Sequence, residues 1–129
     1  LNPKYAEAIN NLGTVYYAKK SYRRARAQYK EALRIRPGSA SVLSNLGTAY
    51  FARKQYEDAM TAYAQAIAID PDYADAIYNL ASLEFDAGNL SAARAAWSRY
   101  LELDQTSEWA RTATRGIAFI DLRTRRSAS

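Results

Sequence analysis

Apolar and polar positions alternate along this chain with a helical step, and the alternation comes in pairs. Ala8, Ile9, Leu12, Val15 and Tyr16 form one stripe at three- and four-residue spacing, and Tyr22, Ala25, Tyr29, Ala32 and Leu33 form a second. The polar stretch KKSY between them is long enough only for a tight turn joining two antiparallel helices. The same double stripe returns with breaks at RKQY and AGNL, and Pro37 and Pro71 mark the ends of the second stripes. The pattern predicts helices at about 4–19, 22–35, 40–53, 56–69, 74–87 and 90–103. Residues 106–123 predict a seventh, with Trp109, Ala113, Ile117 and Ile120 on one face and Arg111, Arg115 and Arg123 largely off it.

The period behind these stripes is 34 residues. Leu12, Leu46 and Leu80 stand one period apart, as do Asn11, Asn45 and Asn79, and Ala25, Ala59 and Ala93. A fixed period of this length describes a stack of equal units, none able to bury its apolar face alone. Gly13 and Gly47 fall inside predicted helices, where glycine costs about 1 kcal/mol relative to alanine, so they mark close approach of two backbones. The expected partners across each pair are Ala25 and Ala59, with Ala93 facing Ala81 in the third unit. Tyr29, Tyr63 and Trp97 are expected to fill the neighbouring space.

These positions resemble the tetratricopeptide repeat, whose pattern runs through a large residue, Leu-Gly, Tyr, an Ala-x-x-x-aromatic step and a closing Pro. The first unit supplies Ile9, Leu12, Gly13, Tyr16, Ala25, Tyr29 and Pro37; the second supplies Leu43, Leu46, Gly47, Tyr50, Ala59, Tyr63 and Pro71. The third departs from it with Ala81, Glu84 and Gln105. The resemblance implies an all-α fold, a right-handed superhelical solenoid of three antiparallel helix pairs plus a C-terminal capping helix. Its repeats would span 4–37, 38–71 and 72–105, the cap 106–123 and a frayed polar tail 124–129. Tyr100 stands where the earlier units have Ala32 and Ala66, as suits a last repeat that meets a cap. Residues 1–3, LNP, align with IRP at 35–37 and IDP at 69–71 and read as the end of a preceding repeat, leaving an open N-terminal edge.

In this family the first helix of each pair lines a concave groove. That implies a peptide-binding surface of Asn10, Asn11, Thr14, Tyr17, Asn45, Thr48, Phe51, Asp75, Tyr78, Asn79 and Ser82. Asn11, Asn45 and Asn79 form a ladder similar to that of the O-GlcNAc transferase type of superhelix, where asparagines hold peptide backbones. An asparagine amide both donates and accepts, which suits an extended main chain of any sequence. The competing reading is that these asparagines bridge neighbouring helices. For the aromatic row of Tyr17, Phe51 and Phe85 the competing reading is packing. The family's other mode, a carboxylate clamp for chaperone tails, fits poorly: of Asn10, Thr14, Asn45, Asp75 and Asn79 only Asn45 agrees, and Asp75 would repel a carboxylate.

Composition narrows the function further. The chain has no His and no Cys, so the usual neutral-pH base and the thiol nucleophile are missing, and neither residue speaks to compartment. Glu84 and Asp86, the nearest carboxylate grouping, lie two apart on one helix and do not share a face. Neither a catalytic site, a cofactor nor a metal is expected, and no stretch approaches the length of a membrane span. Charge is uneven: residues 1–36 hold nine Lys or Arg against two Asp or Glu, whereas 71–104 hold two against six. The basic cluster Arg23, Arg24, Arg26, Lys30 and Arg34 reads as a solvated helix face, so nucleic acid is disfavoured. The expected function is a scaffold binding a protein or extended peptide. The alternative is self-assembly as a weak homo-oligomer through the open edge; a non-catalytic part of a larger enzyme ranks third.

Overall fold

The computed structural model describes residues 2–128. All seven elements are α-helices: α1 (Pro3–Ala18), α2 (Tyr22–Ile35), α3 (Ala40–Ala52), α4 (Tyr56–Ile69), α5 (Ala74–Asp86), α6 (Leu90–Leu103) and α7 (Glu108–Ala128). They divide into two compact units, Leu1–Tyr73 with α1–α4 and Ala74–Ser129 with α5–α7.

In the first unit α1 pairs with α2 and α3 with α4, and α2 lies against α3. α1 begins earlier than the stripe predicts. Asn2 caps it by accepting the Lys4 amide at 2.9 Å, and Pro3 takes the first helical position, where its missing N–H is harmless. The residues that align with the end of a repeat are therefore the start of a helix here; Leu1 lies outside the described residues.

Each turn between paired helices closes the same way. Ser21 N–H donates to Tyr16 at 2.9 Å and Gln55 N–H to Tyr50 at 3.0 Å, with Lys20 at φ 62° and Lys54 at φ 59° in the left-handed region. In the second unit Asn89 N–H donates to Glu84 at 2.8 Å, and the left-handed residue is Gly88 at φ 87°. This six-to-one closure requires a left-handed residue, and glycine adopts it without a Cβ clash.

The glycines meet different partners from those expected. A Cβ on Gly13 would lie 2.7–3.2 Å from Tyr29 ring atoms, and one on Gly47 2.8–3.1 Å from the Tyr63 ring. Ring faces, rather than the methyls of Ala25 and Ala59, are thus what these glycines admit. The tyrosines do more than fill space: each is anchored through its hydroxyl, Tyr29 to Thr14 Oγ1 at 3.1 Å and Tyr63 to Thr48 Oγ1 at 2.8 Å. Ala25, Tyr29, Ala32, Val42, Leu46, Ala49 and Ala62 form one buried cluster spanning α2, α3 and α4.

In the second unit α5 pairs with α6, and α7 packs on α6. The buried side chains of α7 are Ala110, Ala113 and Ile120. Trp109, placed by the sequence on the apolar face of this helix, is 45% exposed and stacks on Tyr78 at 4.9 Å and 20°. Helix α7 runs to Ala128 rather than stopping at 123, since residues 117–128 contain no Gly or Pro and Arg125 and Arg126 complement the helix dipole in the last turn. The sequence 124–128 is thus helical where a frayed tail was expected; Ser129 lies outside the described residues.

Asp104 fixes the α6–α7 junction. Its Oδ1 accepts the Thr106 and Ser107 amides at 3.1 and 3.3 Å, and its Oδ2 accepts the Tyr100 hydroxyl at 2.7 Å and the Ser107 hydroxyl. Ser107 Oγ in turn accepts the Ala110 amide at 3.0 Å at the head of α7. Arg94 forks onto Asp121 at 2.6 and 3.1 Å and ties α6 to α7 further along.

Candidate peptide-binding surface

The first helices of the pairs carry the predicted groove residues, and the structure treats them unequally. In the first unit Asn45 of α3 donates its amide to Asn10 Oδ1 of α1 at 3.1 Å. This is a bridge between neighbouring first helices, and it leaves Asn45 one N–H and its carbonyl, and Asn10 both of its N–H groups, for other partners. Asn11 is exposed beside them. Asn10 and Asn11 line an open cleft of about 320 Å³ together with Glu7, Arg36, Ser39 and Ser41. Arg36 and Ser39 were not anticipated as lining residues. They sit on the connection after α2, outside the first helices on which the sequence mapping concentrated.

The threonines of the row are engaged internally. Thr14 Oγ1 donates to the Asn10 carbonyl at 3.2 Å besides meeting Tyr29, and Thr48 Oγ1 donates to the Ser44 carbonyl at 3.1 Å besides meeting Tyr63. In the first two repeats the aromatic row packs within the repeat. Tyr17 is half-buried against Tyr22 with centroids 5.3 Å apart, and Phe51 against Tyr56 at 6.0 Å. Burial raises the Tyr17 hydroxyl above its ordinary pKa, and the neighbouring Tyr22 and Tyr29 add to it. Burial likewise raises Tyr29, opposed by the Thr14 bond, and raises Tyr63, opposed by the Thr48 bond.

In the second unit Asp75 is exposed in the first turn of α5, while Asn79 and Ser82 are half-buried. Tyr78 is half-buried between Trp109 and the edge of Tyr100, 5.3 Å away. Phe85 packs on Trp97 at 5.4 Å and Phe119 at 5.6 Å. The one buried carboxylate, Glu84, leaves Oε1 without a partner among the described residues, and no group of three acidic side chains there could hold a metal ion. The chemistry on offer is therefore hydrogen bonding by amides and hydroxyls, with one cation and one anion at the cleft.

Solved structures of similar shape cover nearly the whole chain. The first tetratricopeptide domain of Spaghetti (RPAP3), bound to the HSP90 peptide SRMEEVD, matches with TM-score 0.88 at 22% identity, over 100% of this chain and 98% of that one. The Sgt2 tetratricopeptide domain from Aspergillus fumigatus matches at 0.86 and 26%, over 96% and 82%. The Yersinia enterocolitica type III secretion chaperone SycD, in complex with a peptide of the translocator YopD, matches at 0.89 and 18%, over 94% and 95%. No curated protein matches the sequence. The family profile described as TPR repeat matches residues 13–52 and 47–83, more than half the chain. Those stretches hold the Gly13 and Gly47 sites and the rings they admit, and on that match the chain belongs to the tetratricopeptide-repeat family, with its all-α fold.

Proposed function

We propose that this protein is an interaction scaffold that holds an extended peptide or protein segment along its first helices and catalyses nothing. The observation that carries the reading is the open polar cleft of the first unit, where Asn10 and Asn11 keep free amide groups beside Arg36 and Ser39. Amides of this kind match the alternating donors and acceptors of a peptide main chain. Asn11 and Asn45 of the first unit, and Asn79 at the matching position of the second, would act as the asparagines that resemble the O-GlcNAc transferase type of ladder. Similar folds engaged with an HSP90 peptide and a YopD peptide support the general reading. The ligand differs from an acidic chaperone tail, because Asp75 is an exposed anion where a carboxylate would need a cation.

The test is a fluorescence-anisotropy screen of labelled peptides of mixed sequence, with SRMEEVD as one arm, repeated on Asn11→Ala and Asn45→Ala variants. Binding of peptides without an acidic C-terminal tail that weakens about tenfold or more in the variants is the expected result. SRMEEVD binding as tightly as the best of them would overturn the ligand preference. Binding indifferent to both asparagines would remove the ladder.

A further inference from the structure

Leu12 and Val15 form an exposed apolar stripe on α1, and Phe119 and Leu122 form a second on α7. The second has charged walls. Phe119, Leu122, Arg123, Arg126 and Ser127 line a recess of about 390 Å³, and no carboxylate lies among these residues. Their three- and four-residue spacing keeps them on one side of the helix. Phe119 is 46% exposed and Leu122 50%.

The exposure has a local cause. Phe119 stands one 34-residue period beyond Phe85. In the first two repeats the chain turns after the ring of this row and brings a tyrosine back onto it, Tyr22 onto Tyr17 and Tyr56 onto Phe51. Helix α7 does not turn there. It runs on to Ala128, so Phe119 meets Phe85 with centroids 5.6 Å apart, and no later element folds back over it among the described residues. The cations beside the ring are also unusual. Arginines earlier in the helix are engaged locally, Arg111 with Glu108 and Arg115 with Thr112, and Asp121 is taken by Arg94. Arg123 lies over the Phe119 ring at 5.8 Å, and neither it nor Arg126 has an ion pair among the described residues.

We propose that this recess is a docking site for an acidic segment of a partner protein, one whose large apolar side chains are flanked by aspartate or glutamate. An apolar side chain of the segment fills the space over Phe119 and Leu122. Its carboxylates meet the guanidinium groups of Arg123 and Arg126, each of which matches a carboxylate with two parallel N–H donors. Charge fixes the class of occupant: residues 115–128 hold four arginines against Asp121 alone. A basic segment, or the same helix of a second copy, is repelled.

Size fixes the occupant's length. Two apolar side chains and two cations fall far short of the roughly 20–30 residues a side of a stable globular interface, so a short segment binds, with modest affinity. An anionic bilayer has the right charge, but a helix lying on it needs a continuous apolar face. Here α7 exposes two large apolar side chains, and they line a recess. The site shares no residue with the asparagine cleft of the first unit and is independent of the function proposed there.

The test titrates the 129-residue chain into the fluorescein-labelled peptide EEDFLDELLEE, with EEDSSDESSEE and KKKFLKKLLKK as controls. Saturable binding of the first peptide is expected, at least about tenfold tighter than of either control. Amide shift changes in NMR spectra should cluster at residues 115–127. Arg123→Glu combined with Arg126→Glu should weaken binding at least about tenfold, and Leu122→Ser alone at least about threefold. Asn11→Ala and Arg23→Glu should each stay within about twofold of the parent chain. If the double glutamate variant frays α7, Arg123→Gln with Arg126→Gln supplies the same comparison. No saturable binding of the first peptide, or binding that follows Asn11 or Arg23 instead of α7, overturns the proposal. So does equal binding of the serine peptide, since charge alone then suffices. Binding to vesicles of one part phosphatidylserine to three of phosphatidylcholine that Leu122→Ser abolishes, with no peptide bound, also overturns it, since the occupant is then a membrane.

Discussion

The first two repeats and the third solve one packing problem with the same part placed in different helices. In the first two, a tyrosine on the second helix lies over a glycine of the first helix of its own pair: Tyr29 over Gly13 and Tyr63 over Gly47. A threonine beside each glycine holds the hydroxyl. In the third repeat Ala81 replaces the glycine and Trp97 the tyrosine, and the indole nitrogen finds no acceptor among the described residues. The missing glycine reappears in α7: a Cβ on Gly116 would overlap the Trp97 ring. A large ring over a small residue is thus the invariant of the array, and which helix donates the small residue is free to change. The terminal pair gives up the tyrosine–threonine bond and receives a close-packed cap in exchange.

The sharpest way to break this comparison is at Gly116. Alanine normally stabilises a helix interior by up to about 1 kcal/mol over glycine. Here Gly116→Ala is expected to do the opposite and destabilise by about 1–3 kcal/mol, because the methyl meets a ring held in a packed core. Gly47→Ala is expected to fall in the same range against the fully buried Tyr63. Urea melts followed by tryptophan fluorescence give both numbers. A stabilising Gly116→Ala would show that α7 has not taken over the glycine's part.

Much of this was legible in the sequence, and the gaps have physical causes. The 34-residue period placed six helices within a residue or two along most of their length, since two apolar stripes and a polar break leave few alternatives. The partner of the glycines was not legible. Periodicity gives the face on which Gly13 lies, but ring orientation depends on a side-chain rotamer and on the Thr14 bond. Trp109 shares a stripe with Ala113 and Ile120, but spacing left its degree of burial open; it sits in the first turn of α7, where the stripe is running out over Tyr78. The groove was legible as a row of residues only. Nothing in spacing distinguishes Asn10, which keeps free N–H groups, from Thr14, whose hydroxyl already meets Tyr29 and the Asn10 carbonyl, and the linker residue Arg36 lay outside the pattern altogether.

A second contrast lies between the ends of α4 and α6. Asp70 and Asp104 are one period apart; Asp70 Oδ1 accepts the Asp72 amide at 3.1 Å, whereas Asp104 gathers four donors. The Ser107 hydroxyl, then the Tyr100 hydroxyl and the Thr106 amide, bring Asp104 from 3.8 down to about 2. A carboxylate held below its unfolded value binds fewer protons in the native state, so its stabilisation is full above pH 3.8 and fades as pH falls toward about 2. Asp104→Ala is therefore expected to lower Tm at pH 7, with the gap to the parent protein closing across that acid window. Thermal melts of both proteins from pH 7 to pH 2 measure it. A gap that stays constant with pH would assign the effect to packing and not to the carboxylate's charge.

The smallest effect separates the turns. Lys20 and Gly88 hold the same left-handed position after α1 and α5, at φ 62° and 87°. A side chain in that region costs about 1–2 kcal/mol, partly offset by the extra freedom glycine loses on folding. Nothing lies within 4 Å of a Cβ built on Gly88, so Gly88→Ala tests backbone strain alone and is expected to destabilise by about 1 kcal/mol. Lys20→Gly relieves the same strain and is expected to stabilise by up to about 1 kcal/mol. Paired thermal melts at moderate salt, where the loss of one cation matters least, read both changes. Opposite signs of similar size mean that the two turns are the same device with different residues. A destabilising Lys20→Gly would mean that the lysine side chain makes a contribution larger than the strain it carries, and the basic turn would then be as much a feature of the first repeat as its exposed stripe.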